Sequence, residues 1–347
     1  MRPILIELPS KGLAVFALVM ALAVLAWNLW KKRRGRISTP LWLVAAAWAL
    51  MGLRGGSWVP SAAVFKEEWV ALPIFSYGVM LGTSLVVGWY LVMKLAKQDG
   101  ITADQAGAIY MWTAIWAMVG ARILYVLTNL NDFTGLADAL SLHKGGMVAY
   151  GGMIGGFCAS WYGCRRRRIP LLQWADVSAP AVVLGTGITR LGCLLYGCDF
   201  GRPSDVPWAL AFPNGSAAWD RHIRLGLITP DAAASLPVHP TQIYESLVGF
   251  ALFGLLMWLR KRRTFSGQVF LGWVLGYGTL RPLLELLRDD DQRGNVGPLS
   301  TSQFIGVVSV VLGLGLAVWL YQQHKRDPES RRYWQRPAAR AGSSAAH

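Results

Sequence analysis

The sequence is poor in charge. Only 15% of its 347 residues are Asp, Glu, Lys or Arg, against about 25% in an average soluble domain. That shortage, with the apolar content below, excludes a disordered chain and an ordinary soluble enzyme. Cysteine is scarce too. Cys158, Cys164, Cys193 and Cys198 are too few, and too embedded in apolar sequence, to read as a secreted disulfide framework. There is no Gly-rich phosphate loop and no paired Cys-x-x-Cys, so no nucleotide, metal or other cofactor is expected. No internal repeat is visible, which gives an inverted-repeat transporter no direct support.

Apolar residues make up 54% of the chain, and the mean hydropathy is +0.36. This is the composition of an all-α polytopic membrane protein. Apolar stretches long enough to cross a bilayer fall at 12–30, 69–93, 106–128, 145–163, 172–197, 241–260, 268–288 and 302–322, with a shorter one at 40–54. Together they predict nine spans. The basic run follows the first stretch rather than preceding it, so 12–30 reads as a retained anchor and not a signal peptide. Trp27, Trp30, Trp42, Trp89 and Trp258 sit near span ends, as interfacial anchors do.

Lys and Arg outnumber Asp and Glu by 34 to 19, a net charge of +15. In a soluble protein this would suggest nucleic acid. Here the excess is gathered in short runs between apolar blocks, and no nucleic-acid partner is expected. The runs are Lys31 to Arg36, Lys94 and Lys97, Arg165 to Arg168, Arg260 to Arg263, and the tail from Lys325 to Arg340. With nine spans they all lie on one side. The opposite loops hold Glu67, Glu68, Asp132, Asp138, Asp199, Asp205 and Asp289 to Asp291. The positive-inside rule then puts the N-terminus outside and the C-terminus in the cytoplasm. The longest outer loop, 198–238, is proline-rich and predicts a small cap outside the membrane. The polar tail predicts disorder.

Ionisable groups inside spans are expensive and rarely idle. Arg122 lies in GARILYV, Arg190 in GTGITRLGCLLYG, Arg281 and Glu285 in GYGTLRPLLELLR, and Glu245 opens a span in HPTQIYE. Several intramembrane guanidiniums together favour a phosphate-headed ligand, because the planar fork matches phosphate. The structural alternative stays open for each. Arg281 and Glu285 are spaced i, i+4 and could neutralise each other, and Arg122 could snorkel. Gly145 to Gly156 contains three glycine pairs, which read either as close helix packing or as a helix break presenting Tyr150 to a cavity. Cys193 and Cys198 are five apart, neither a zinc-type pair nor one helix face, which argues against a metal site. His239, alone before its span, reads as a hydrogen-bonding residue.

Taken in order, FSYGVMLG, GARILYVL, GGMVAYGGMIGG, RLGCLLYGCDFGRPSDVPWALAFP, HPTQIYES and GYGTLRPLLELLR resemble the prolipoprotein diacylglyceryl transferase family of bacterial inner membranes. The resemblance covers about 250 residues from Tyr77. It implies a seven-helix transferase core over 66–325, preceded by an extension at 1–65 with one or two further spans and followed by a basic tail at 326–347. It also implies the reaction: the diacylglyceryl group of phosphatidylglycerol moves to the lipobox cysteine of a preprolipoprotein, and glycerol phosphate leaves. Carried onto this chain, the family pattern makes Arg190, Arg281, Tyr150 and Glu285 catalytic. It assigns substrate contacts to Tyr77, Arg122, Gly151, Cys193, Cys198, Gly201, His239, Gln242, Tyr244, Glu245 and Arg288. A monomer is expected. The chain departs from the pattern at Tyr150, where well-studied members have His, and at Cys193 and Cys198, where the signature has Asn and Glu. Tyr, with a pKa of about 10, is a poor base at neutral pH. Two other readings are a lipid-binding homologue with altered chemistry and an anion transporter or channel lined by the buried Arg residues.

Overall fold

The computed structural model describes residues 4–8, 72–130, 133, 135, 146–289, 295–297 and 299–328. Helices dominate them: α1 (Ser76–Gln98), α2 (Ala103–Thr128), α3 (Ala149–Arg166), α4 (Leu171–Tyr196), the short α5 (Ala217–Arg224), α6 (Thr241–Arg262), α7 (Gln268–Glu285) and α8 (Thr301–Arg326). Two antiparallel two-stranded ribbons complete them. β1 (Ile4–Leu8) pairs with β2 (Leu72–Phe75), and β3 (Asn295–Val296) pairs with β4 (Leu299–Ser300).

Helices α1, α2, α4, α6 and α8 are long and apolar enough to cross a membrane. The chain is therefore a mostly helical, multi-pass membrane protein. Helices α3 and α7 are shorter, at 18 residues each, yet still rise about 27 Å, close to the roughly 30 Å hydrocarbon core. The expected spans at 12–30 and 40–54, and the tail beyond Pro328, lie outside the described residues. One expectation is corrected. The span predicted at 69–93 starts only at Ser76, because Leu72–Phe75 is a strand paired with Ile4–Leu8. Pro73 sits in that strand, and proline disfavours a helix interior.

Lipid-facing composition explains the outer surface. Trp112, Trp116, Ile154, Phe157, Leu255, Val311 and Leu312 are all exposed, as helices solvated by acyl chains require. Interior contacts use small residues. Gly120, Gly151 and Gly155 bring the α2 and α3 backbones so close that a Cβ on any of them would strike a facing carbonyl. Gly151, Gly152, Gly155 and Gly156 are thus packing residues, and the helix begins inside the motif, at Ala149.

The end of the bundle carrying the arginine runs is tied by a buried ionic cluster. Arg260 Nη2 meets Asp99 Oδ1 at 2.5 Å, and Arg263 grips the same carboxylate through both Nη atoms, at 2.7 and 3.1 Å. Asp176 Oδ2 accepts from the Gly267 amide at 2.8 Å, and its Oδ1 from the Phe270 amide at 2.9 Å. A carboxylate from α4 thereby caps α7, whose own N-cap is a glycine without a side chain. From the sequence alone, Arg260 and Arg263 read only as charges between two spans.

At the opposite end, 198–238 folds over the bundle. Phe200, Phe212, Ala218 and Val238 form its buried core, and α5 is capped by Ser216 Oγ accepting from the Trp219 amide. His222 is fully buried there, with Nδ1 accepting from the Leu236 amide at 3.1 Å.

Candidate active site

The site is built where α4 ends. Glycine at 197 takes the left-handed conformation, φ +86°, which ends the helix and turns the chain back. The Gly197 and Cys198 amides both donate to the Cys193 carbonyl, at 2.8 and 3.2 Å. Asp199 follows with φ +58°, a conformation a non-glycine residue seldom adopts and aspartate tolerates better than most. The first turn of α6 pins this loop. Thr241 Oγ1 donates to the Asp199 carbonyl at 2.6 Å, and Gln242 Nε2 to the Cys198 carbonyl at 2.7 Å. The end of α7 closes it: the Gly201 amide donates to the His239 carbonyl, and the Arg202 amide to the Leu287 carbonyl. At Gly201 an added Cβ would lie 2.7 Å from the His239 carbonyl and 2.8 Å from that of Leu287, so only glycine lets the three segments meet.

Six charges converge on this junction. Arg190 reaches Glu245 through Nε and Asp199 through Nη1, the latter at 2.6 Å. Arg281 Nη1 sits 2.8 Å from Glu245 Oε1 and 2.9 Å from Glu285 Oε2. Arg288 pairs with Asp199 and lies 3.6 Å from Glu245. Three guanidiniums face three carboxylates, so the cluster is balanced. Glu245 and Glu285 are almost wholly buried, with 4% and 2% of the side chain exposed, while Arg190 and Arg281 keep 18% and 14%. Burial by itself would push the Asp199 carboxyl up. Arg190 and Arg288 outweigh it and hold the group at about 2, so Asp199 is ionised.

The expected site residues divide into those in the cluster and those around it. Arg190, Arg281, Glu285, Glu245 and Arg288 are brought together. Cys193 lies beside Arg190, whose Nη1 is 3.9 Å from its Sγ, and Cys198 adjoins Asp199. Gln242 and Gly201 hold the loop through backbone contacts. Tyr77 packs on α4 at Gly192. Tyr150, in the first turn of α3, interacts electrostatically with Arg281, Glu285 and Tyr277. His239 Nδ1 is 3.3 Å from the Tyr244 hydroxyl, which also accepts from Trp208 Nε1 at 2.6 Å. Two expected residues lie elsewhere. Gly151 is buried in the α2–α3 crossing. Arg122 donates to the Gly146 carbonyl at 3.0 Å and stands over the Tyr125 and Phe133 rings, so it is buried against α3 and does not snorkel. Asp199 is the residue the sequence reading left out of the site. Its only signal was an acid next to a cysteine where an acid was expected.

Chemically, the arrangement presents fixed positive donors. Arg190 meets its carboxylates through Nε and Nη1, and Arg281 meets both of its carboxylates through Nη1. A guanidinium clamped by a carboxylate needs little reorganisation to meet an anion, which is what stabilisation of a developing negative charge requires. The Cys193 and Cys198 thiols lie at the same point.

Residues 66–319 match the sequence profile described as prolipoprotein diacylglyceryl transferase. Among curated relatives, the chain is 32% identical over 247 residues to the phosphatidylglycerol–prolipoprotein diacylglyceryl transferase of Clostridium tetani, covering 71% of this chain and 93% of that protein. It is 32% identical over 261 residues to the protein of the same name from Geobacter sulfurreducens, covering 73% and 92%. To that of Finegoldia magna it is 30% identical over 260 residues, covering 74% and 96%.

Proposed function

The chain belongs to the prolipoprotein diacylglyceryl transferase family, and from that premise we propose that it transfers the diacylglyceryl group of phosphatidylglycerol to the lipobox cysteine of a preprolipoprotein. The cysteine sulfur attacks the diacylglycerol carbon that carries the phosphodiester oxygen. The carbon–sulfur bond forms, the carbon–oxygen bond breaks, and glycerol phosphate leaves with the electron pair. The thiol gives up its proton on the way.

One observation carries this reading above the others: Arg190 and Arg281, from different helices, share the carboxylate of Glu245. The two guanidiniums are held at one point, where a phosphate between them would meet donors from both. In this reading Arg190 holds the phosphate of the lipid and Arg281 faces the reacting end, with Glu285 fixing its orientation. Negative charge grows on the leaving phosphate in the transition state, so these donors lower the barrier. Tyr150 supplies a hydroxyl at the edge of the site and does not act as the base.

The fold-level part of the proposal is a seven-helix core over 66–325, from α1 to α4 and α6 to α8. The extension lies at 1–65 and a basic cytoplasmic tail at 326–347. The N-terminus is outside, the C-terminus is in the cytoplasm, and the charge cluster opens toward the outer face of the bacterial inner membrane. The working unit is a monomer. Tyr150, Cys193 and Cys198 favour one other reading, a homologue that binds the lipid without transferring it.

Purified protein in phosphatidylglycerol vesicles, given a lipobox peptide, separates the two. The expected product is a peptide carrying diacylglyceryl on its cysteine, seen by mass spectrometry and lost with Arg190→Ala. Absence of that adduct with folded protein, and its appearance only after Tyr150→His and Cys193→Asn, would favour the lipid-binding homologue.

A further inference from the structure

Cys193, Cys198 and Asp199 place their Sγ and carboxylate oxygen atoms all within 4.8 Å of one another. The spacing of five that argued against a shared ligand is overcome by the left-handed turn at Gly197. That turn folds Cys198 back over the last turn of α4, so its Sγ lies 3.9 Å from the Cys193 carbonyl and 3.9 Å from Asp199 Oδ2. Both cysteines are free thiols. We propose that this triad is a binding site for a soft divalent cation of the zinc class, and that the bound ion takes the substrate thiol as its fourth ligand.

The donor set suits such an ion. Thiolates select soft and borderline metals, and three protein ligands with one open position are the pattern of a catalytic zinc. Zinc–sulfur bonds of about 2.3 Å put two tetrahedral sulfurs about 3.8 Å apart, so the three atoms need to close by roughly an ångström. Cys198 is part exposed, and the Asp199 side chain is 23% exposed, so the triad is not sealed on every side. Asp199 gives one contact to Arg190 and one to Arg288. A carboxylate has about four lone-pair positions, so Oδ2 can keep its guanidinium and still coordinate.

The neighbouring arginines do not exclude a cation. Loading a dication displaces two thiol protons. The local charge of the triad therefore stays at −1: one carboxylate with two neutral thiols before, one carboxylate, two thiolates and a dication after. Arg190 and Arg288 face the same net charge in both states.

The binding claim stands by itself, while the catalytic role rests on the transferase reading above. In that role the substrate cysteine loses its proton on joining the metal. Its sulfur then attacks the diacylglycerol carbon, the carbon–oxygen bond breaks toward the phosphate, and the neutral thioether leaves the ion. The ion changes neither oxidation state nor ligand set apart from the substrate sulfur. A metal-held thiolate meets the need for a nucleophile in a site where Tyr150 offers no base.

Cobalt(II) titration of the full-length protein, reduced and in detergent, tests the site without turnover. The expected result is a thiolate-to-cobalt charge-transfer band with the strong visible bands of four-coordinate cobalt, quenched by zinc. Cys193→Ser and Cys198→Ser should each abolish the charge-transfer band or weaken it severely, Asp199→Asn should lower the affinity, and Cys158→Ser should leave the spectrum unchanged. Thermal unfolding in detergent checks that each variant is folded. Absence of the band in folded wild type, its persistence in the Cys193→Ser/Cys198→Ser double variant, or an intact mass showing a Cys193–Cys198 disulfide in place of metal after mild reduction would overturn the proposal.

A lipobox peptide should then shift the visible bands, and a peptide with Ser for Cys should not. Equal spectra with both peptides would overturn the role in thiol activation. In the transfer assay, chelation should slow turnover about tenfold, because a free thiol with a pKa near 8.5 is only a few per cent thiolate at neutral pH. Full turnover without metal would sink the catalytic role and leave the transferase reading intact. Cobalt binding with no transfer would sink the transferase reading, and the catalytic role with it, and leave the binding claim intact.

Discussion

Glu245 and Arg281 meet at 2.8 Å between two helices, and the same carboxylate holds Arg190 from a third. The pair therefore joins α4, α6 and α7 at the level of the site. Removing the carboxylate leaves buried guanidiniums short of a partner. Glu245→Ala is expected to destabilise the protein by about 3 kcal/mol, the lower end for breaking a buried pair. Thermal unfolding in detergent checks this, and an unchanged midpoint would show that the pair is not a structural joint.

Arg190 and Arg281 should not tolerate lysine. Lysine keeps the charge but offers a point donor in place of the fork that spans two carboxylates and a phosphate. Each Arg→Lys change is expected to lower kcat by about 100-fold, the scale of losing one preorganised donor. Initial rates of peptide modification measure it. A loss seen only in KM would mean that the arginines bind lipid without stabilising the transition state.

Tyr150→Phe discriminates between a base and a positioning hydroxyl. A tyrosine acting as base would make activity climb steeply toward alkaline pH, because a free phenol ionises only near about pH 10. The expected result is a loss within about tenfold, worth roughly one hydrogen bond, with the shape of the pH–rate curve preserved. Complete loss of activity would show that the Tyr150 hydroxyl does more than position its neighbours.

The glycines of α2 and α3 should be sharply graded against those that face open space. Gly155→Ala drives a methyl into the Trp116 carbonyl, and overpacking of this kind costs about 1–3 kcal/mol. Gly254→Ala, within α6 and with nothing within 4 Å of its added Cβ, should stabilise by up to about 1 kcal/mol through helix propensity. Unfolding midpoints of the two variants should move in opposite directions.

His222 makes the 198–238 cap sensitive to acid. Burial lowers its pKa below the usual value; Asp289 pulls it back up and Arg221 pushes it further down. The unfolded cap therefore binds a proton at higher pH than the folded one. The stabilisation is complete above about pH 6.5 and is lost as pH falls from there toward the folded pKa. Hydrogen-exchange protection of the 210–238 amides, corrected for the intrinsic pH dependence of exchange, should fall across that window in wild type and not in His222→Gln. Equal loss of protection in both would assign the effect to another group.

How much was legible in the sequence follows from the range of each interaction. Membrane class, the positions of the apolar helices, and Arg190, Arg281 and Glu245 as the costly charges could be read directly, because hydropathy over about 20 residues and charge within it are local properties. The i, i+4 partnership of Arg281 with Glu285 was readable for the same reason.

Tertiary structure decided which charges meet. Glu245 bridges residues 55 positions before it and 36 after it, a matter of how α4, α6 and α7 cross and not of any spacing. Asp199 enters the cluster because the chain turns left-handed at Gly197 and at Asp199 itself, a backbone choice the residue types permit but do not announce. Arg260 and Arg263 look like loop charges until Asp99 and Asp176 arrive from α1's end and α4. Gly155 reads as either close packing or a helix break until the α2 and α3 backbones meet at Gly120. Local sequence selects the helices and the groups too costly to bury alone; the packing of those helices supplies the partners, because pairing across the bundle depends on distances that no single segment contains.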